Sequence, residues 1–534
     1  YAQAEDHLES MLRAYRVATG RAAEVWGETF AKSDAFMTQM GYALLAQTAL
    51  AQADALTRDL CEGFALGVNA FIVDHPEMTP PWAEGVRPAD VLALLHCYLM
   101  SFAPFDLPNA YRFPPAATTG NAWAIAPPRS RSGKAMLVIN PHAHYDGPFQ
   151  WCEAHLVTQD VAIAGATLFG LPIILMGHNA VLGWALTPNQ ADFADVYLEA
   201  MPQFSGSPKA IASPGLAEQI NLFLRAQLQP RPYYVRTQDG MQQRSVDCAD
   251  TLRGPVIGEF RGMLSTYHIG GYRELGALYQ LFHMARARNL DEFRAALALQ
   301  QLPCFHVVYA DRDGNIFYLY NAKTGTKLYA APPPPNQNTL GTAPQLVTDW
   351  DAPVPSDDSR LDWGPLVPVN QLPQRVNPPS GYLQACGNPP WAATENSGIA
   401  RESLPPWLAH DRDTYRAQRV RRLLGSAACG FDDMQTMLFD TLDGFAMTAV
   451  PFLLGAANNH PALLESAHPD TPGALDVLKN WDCVADTSSA GMTFFHVWWA
   501  SLRKTAFAYP REAALIEAVE KNAPNLQPIA IKAA

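Results

Sequence analysis

Apolar residues at helical spacing dominate the first hundred positions. Leu8, Met11, Leu12, Tyr15 and Val17 recur at that spacing in a helical region running to about residue 31, with Gly20 and Gly27 as punctuation. A second helical stretch follows from 34 to about 56, and a third runs through Leu60 and Phe64 to Gly67-Val68-Asn69. Pro88-Ala89-Asp90 opens another helix that ends near Ser101. Pro104, Pro108, Pro114 and Pro115 then break up residues 101–119 into an exposed connector. Beyond Asn121 the pattern turns to short apolar runs parted by glycine and proline. It predicts strands at 122–126, 135–139, 151–157, 163–169, 173–176 and 181–186, then helices at 208–228 and 290–299. Strands at 305–310 and 316–320 flank an Asp313-Gly314 turn. Pro332 to Pro335 form a polyproline loop, 353–373 is irregular, and a largely helical part runs from Asp413 to about Lys521.

Composition narrows the class. The 534 residues are 48% hydrophobic, enough for a large core, and the net charge of -13 with no basic stripe excludes a nucleic-acid binder. Arg416, Arg419, Arg421 and Arg422 would fall on more than one helix face, which reads as solvated surface or local ion pairs. Eight cysteines lie scattered with no C-x-x-C pair, so no zinc ribbon or thioredoxin-type motif is present, and spacing alone assigns no disulfide. The longest uncharged run, from Asp160 to His178, carries Gly165, Gly170 and Pro172 and reads as two buried strands, not a membrane span. The chain opens on Tyr1 already in a helical pattern, so its natural start is expected to lie further upstream. There is no internal repeat and no phosphate-binding glycine loop.

The stretch from Gly120 to Asp195 holds most of the candidate chemistry. His142, His144 and Asp146 form an H-x-H-x-D string, but His155 and His178 downstream sit in ordinary strand context and do not complete a metallohydrolase set. No G-x-S-x-G elbow precedes a helix. Asp192 and Asp195, three apart after a strand, could share a hard cation or lie in a solvated turn.

Asn121-Ala122-Trp123, Gly133-Lys134-Ala135-Met136-Leu137, Asn140-Pro141-His142, Gly177-His178-Asn179, Gly183-Trp184 and Asn377-Pro378-Pro379-Ser380-Gly381-Tyr382 occur in an order that strongly resembles the penicillin acylase family of N-terminal nucleophile (Ntn) hydrolases. Gly67-Val68-Asn69-Ala70 and the helical opening fit as well, and the likeness covers nearly the whole chain. It implies an α+β, αββα sandwich with a helical α-chain-like region (1–100), a connector (101–119), the sheet core (120–412) and a mostly helical remainder (413–534). It further implies a precursor cut at a serine into an α/β heterodimer, export to the periplasm or beyond, and hydrolysis of the amide of a small N-acyl substrate such as an acyl-homoserine lactone or a β-lactam. The implied roles extend to antibiotic chemistry and quorum quenching, with no membrane partner and no organic cofactor. An α-amino group with a pKa of about 7.7–8.0 is partly neutral near pH 7, so the residue freed by the cut can serve as base for its own hydroxyl.

By that resemblance the nucleophile is the residue before Asn121, and here it is Gly120, which has no hydroxyl. Either a serine was replaced to trap the precursor, or the natural protein has lost it; Thr119 offers a hydroxyl one position early. A pseudoenzyme that keeps the pocket for binding is the competing reading. The family pattern sets His142 beside the nucleophile. It puts oxyanion donors at Pro188, which has no N–H, and at Gly387, so that the Asn189 N–H and the Asn388 side chain are the expected substitutes. Asp192, Asp195 and the Ala194 carbonyl match a structural calcium site, and Arg419 matches an arginine near the active site, with a surface role equally open.

Overall fold

Glycine sets the helix boundaries at the start of the chain. The first periodic stretch folds as α1 (Ala2–Ala18), α2 (Ala23–Trp26) and α3 (Glu28–Met40), broken at Gly20 and Gly27, whose φ of 71° and 66° lie in the left-handed region. Gly41, with φ 64°, divides α3 from α4 (Tyr42–Gln52), so the second predicted helix is in fact two. Asp54 caps α5 (Ala55–Asp74) by accepting from the Thr57 N–H at 3.0 Å. α6 (Pro88–Met100) is buried on nearly every side, as its unbroken apolar run requires.

The computed structural model describes residues 1–103, 119–143, 146–159, 161–199, 228–260, 263–327, 350, 352–356, 359–409, 412–425, 428–465, 468–509 and 511–533. Most of the predicted connector, the helix at 208–228, the polyproline loop and His144 lie outside the described residues. By contact the chain divides into two units, Tyr1–Arg412 and Asp413–Ala534.

In the first unit β1 (Thr119–Ile125) lies between β2 (Met136–His142) and β16 (Tyr382–Ala385), all antiparallel. A seven-stranded sheet orders β15 (Gln374–Val376), β13 (Ile316–Ala322), β12 (Cys304–Asp311), β6 (Leu182–Thr187), β5 (Met176–Asn179), β4 (Ala162–Leu168) and β3 (Trp151–Val157). Strand alternation on β6 shows how the layers stack. A Cβ on Gly183 would lie 3.0 Å from Leu137 of β2 and one on Gly120 would lie 3.0 Å from Thr187, so Gly183, Ala185 and Thr187 face the three-stranded sheet. Trp184 and Leu186 face the other way, and the Trp184 ring meets Phe293 of α8 (Leu290–Leu297) at 6.5 Å between centroids. α7 (Ala277–Arg286), which sequence periodicity left unassigned, packs beside α8. The fold is α+β with two face-to-face sheets.

A third sheet orders β10 (Val256–Phe260), β11 (Met263–Ile269), β7 (Ala194–Glu199) and β14 (Val354–Pro355). The hairpin β8 (Gln229–Thr237) and β9 (Gly240–Cys248) reaches back onto α2 and α3, where Val235 joins Ala23 and Ala31 and Arg236 donates to the Glu24 carbonyl at 2.8 Å.

The second unit is built of helices, among them α9 (Tyr415–Gly425), α10 (Ala446–Asn459), α11 (Ala490–Thr505) and α12 (Gln527–Ala533). Its core gathers Leu453, Phe495, Trp498 and Leu502, with the Trp498 indole N–H donating to the Ala530 carbonyl at 3.0 Å. Among the described residues no helix is long and apolar enough to cross a membrane.

Candidate functional site

β1 delivers residue 120 to the interface of the two sheets. Gly120 is buried and pairs with Pro141 across β2. A side-chain carbon added there would point at Thr187 of β6, 3.0 Å from its Cγ2 and 3.4 Å from its Cβ, with the Asn140 carbonyl oxygen at 3.2 Å. Its φ lies outside the left-handed region, so the position accepts any residue on backbone grounds and restricts it by space alone.

The structure corrects the expectation that His142 sits beside position 120. The β1–β2 register pairs His142 with Thr119. Its imidazole Nε2 lies 3.3 Å from the Asn121 amide nitrogen and 3.4 Å from that of Asn140. Asn121, Asn140 and His142 therefore share the face opposite to the one a Gly120 side chain would take, because neighbouring residues on a strand alternate. Thr119 lies on the His142 face too.

Of the two expected oxyanion substitutes, the Asn388 side chain is engaged in its own turn, whereas at Asn189 it is the side chain and not the expected N–H that is engaged. The β1–β16 pairs run from Ile125↔Tyr382 to Ala122↔Ala385, a register that carries on toward Gly387 opposite Gly120. Thr187 Oγ1 donates to the Ala385 carbonyl at 3.4 Å, tying the start of this turn to β6. Asn388 is fully buried, its Oδ1 accepts from the Cys386 N–H at 2.8 Å, and its amide donates to the Pro389 carbonyl at 3.1 Å. The side chain thus closes its own turn around Gly387, which takes φ 74°. Asn189 bridges the Asn321 carbonyl at 2.9 Å and the Ala191 N–H at 3.2 Å. Only its backbone N–H is left to serve as a donor after Pro188.

Asp192 and Asp195 are brought together, but on a cation the sequence reading did not foresee. The Lys327 ammonium lies 2.6 Å from Asp192 Oδ2 and 2.7 Å from Asp195 Oδ2, with the lysine side chain fully buried. The indole N–H of Trp363 donates to the same Asp195 oxygen. The rings of Trp350 and Trp363 face the ammonium at 5.0 Å and 4.7 Å from their centroids. Burial pushes the Asp195 carboxyl above its ordinary range, against the opposing pull of Lys327. Calcium needs six to eight oxygens. Among the described residues no group of three or more His, Cys, Asp or Glu is placed to hold a metal, and Ala194 sits within the ladder opposite Ile269. The described residues around the pair supply too few oxygens to fit a calcium ion.

The remaining candidates hold the scaffold. Asn179 uses its whole amide, donating to the Ala285 and Ala287 carbonyls at 2.9 and 2.8 Å and accepting from Val181 and Leu182 at 2.8 and 3.0 Å. Asn69 pairs with both backbone groups of Val86, and Asn377 accepts from the Ile316 N–H at 2.8 Å. His155 and His178 are exposed on the sheet. Arg419 is ion-paired with Asp440 at 2.7 Å and Arg421 with Asp413 at 2.5 Å. Among the described residues no disulfide joins the cysteines. Thr187, Lys327, Trp350 and Trp363 were missed by sequence reasoning, since each meets its partner only through tertiary packing.

Comparison with known proteins gives one family. The profile described as Penicillin amidase matches residues 1–529. A penicillin acylase 2 proenzyme from Pseudomonas sp. (strain SE83) is 23% identical over 512 residues, spanning 83% of this chain and 61% of that protein. The acyl-homoserine lactone acylase QuiP of Pseudomonas aeruginosa is 23% identical over 518 residues, spanning 82% of this chain and 56% of that protein. The chain thus spans about three-fifths of the length of these relatives. Among solved structures, a thermostable penicillin G acylase from Alcaligenes faecalis superposes with a TM-score of 0.53 at 21% identity, covering 74% of this chain and 66% of that one.

Proposed function

The chain belongs to the penicillin amidase family, and from that membership we propose that it is built as an amidohydrolase of N-acylated small molecules, held in an uncut form by the glycine at position 120. The substrate class, acyl-homoserine lactones or β-lactams, follows the names of its relatives. Export to the periplasm or beyond, assembly as an α/β heterodimer after cutting, and a part in quorum quenching or antibiotic chemistry extend the same family reading. The carrying observation is the place of Gly120: buried on a strand between two sheets, aimed at Thr187, with no oxygen to attack a carbonyl. A serine there would serve twice. Its hydroxyl would attack the preceding peptide carbonyl, shifting the acyl group from nitrogen to oxygen, and water would hydrolyse the resulting ester to cut the chain and restore the hydroxyl. With the freed α-amine taking its proton, it would then attack the acyl carbon of the substrate, release the amine and pass the acyl group to water.

Asn388 favours a second reading, a binding protein on the same fold. Its side chain is locked into its own turn and offers the reacting centre no aimed donor as it stands, and loss of one such donor costs roughly 100- to 1,000-fold in rate. Intact mass of the expressed sequence should give one chain. Gly120→Ser should give two chains that divide between Thr119 and position 120, with acid released from N-acyl substrates. A cut in the original sequence at that bond would overturn the role assigned to Gly120. A Gly120→Ser protein that is folded, cut and inert toward a panel of N-acyl amides would select the binding reading.

A further inference from the structure

We propose that Lys327 takes the place of a divalent cation at the Asp192–Asp195 pair, so that this chain fastens the start of β7 without calcium. The two carboxylates come from the approach to β7 and from β7 itself, and buried in this way they repel each other unless a cation lies between them. Among the described residues the Lys327 ammonium lies between them, at hydrogen-bond distance from one oxygen of each. Three further features make the lysine a built counter-ion. Its side chain is fully buried, so the charge has no route to solvent. Two indole faces cover it, which suits an ammonium, whereas a metal ion would need oxygens there. The Trp363 N–H meets the charge that one lysine leaves over from two aspartates.

The exchange also changes what the site joins. Lys327 follows β13 by five residues, and Trp350 and Trp363 come later in the chain, so the cation is covalently part of the segment it fastens to β7. A metal would bridge groups already in place, while Lys327 brings its own strand end with the charge. Because the lysine is always present at one equivalent, the clasp does not depend on the calcium concentration around the protein.

The test uses the full chain. Metal analysis of the purified protein should find no stoichiometric calcium, and its melting temperature should be the same with a chelator and with excess calcium chloride. Lys327→Ala should melt lower, since it leaves two buried carboxylates without their counter-ion. One calcium per chain in the unaltered protein, or a chelator-induced fall in its melting temperature, would overturn the proposal. So would a folded Lys327→Ala that melts at the same temperature as the unaltered protein. If that variant fails to fold, the two measurements on the unaltered chain still decide the matter, and neither depends on activity at position 120.

Discussion

Replacing Gly120 by alanine adds one carbon at the most closely packed point of the candidate site. That carbon would sit 3.0 Å from Thr187 Cγ2, 3.4 Å from its Cβ and 3.2 Å from the Asn140 carbonyl oxygen. Two of these distances are shorter than a relaxed contact, and overpacking of this kind costs about 1–3 kcal/mol. Removing glycine from a strand recovers roughly 0.5–1 kcal/mol by restricting the unfolded chain. Gly120→Ala should therefore be destabilised by up to ~2.5 kcal/mol. Thr187→Ser removes the Cγ2 methyl, keeps the hydroxyl that donates to Ala385, and alone should cost about 0.5–1.5 kcal/mol, as loss of one buried methyl does. Combined, the two changes should be less damaging than their sum by at least ~1 kcal/mol, since the second makes room for the first. Denaturant titration of the four proteins reads this from the shift in midpoint at constant m. Additivity within about 0.5 kcal/mol would mean that Gly120 does not point at Thr187, and the proposed nucleophile geometry would go with it. The same logic predicts that Gly120→Ser cuts itself faster when Thr187 is also serine.

Two further outcomes follow from buried polar groups. Trp363→Phe keeps a ring over Lys327 but removes the N–H that reaches Asp195, and should cost about 1.5–3 kcal/mol by thermal or chemical denaturation; an unchanged midpoint would refute the hydrogen bond. His96, buried against Tyr42 and Tyr272 and near Lys323, has its pKa pushed from 6.5 down to about 4, chiefly by burial. Between those values the unfolded chain binds a proton that the folded chain refuses, so stability is whole above pH 6.5 and falls as the pH drops toward 4. His96→Leu should flatten the pH dependence of the unfolding midpoint by up to one proton in that window, and parallel curves for the two proteins would count against the reading.

The aspartate pair shows why a residue pattern can be right about proximity without naming the group that joins it. Asp192 and Asp195 do converge, but the group between them comes from residue 327, whose neighbours carry no mark that sets Lys327 apart from Lys323. Lys323 pairs instead with Glu274 at 2.7 Å. The hairpin β8–β9 was illegible for a different reason. Burial does alternate along both strands, but the inward positions are Arg231, Tyr233, Val235 and Thr237 on one and Arg244, Val246 and Cys248 on the other, too mixed in polarity for the alternation to be read from the sequence.

The sequence by itself determined the helical opening with its glycine breaks, the strand-rich middle, the helical end and the family, because local periodicity and motif order are written along the chain. It also determined that no hydroxyl stands at position 120. Tertiary structure alone decided which face each strand residue takes, which is a matter of register: one position separates the Thr119–His142 pair from Gly120–Pro141 and moves the imidazole to the far side of the sheet. It alone decided that Asn388 spends its amide on its own turn, that Thr187 limits what position 120 can hold, and that a buried lysine closes the aspartate pair. Those outcomes depend on groups far apart in sequence meeting within a few ångströms, a distance that no local pattern encodes.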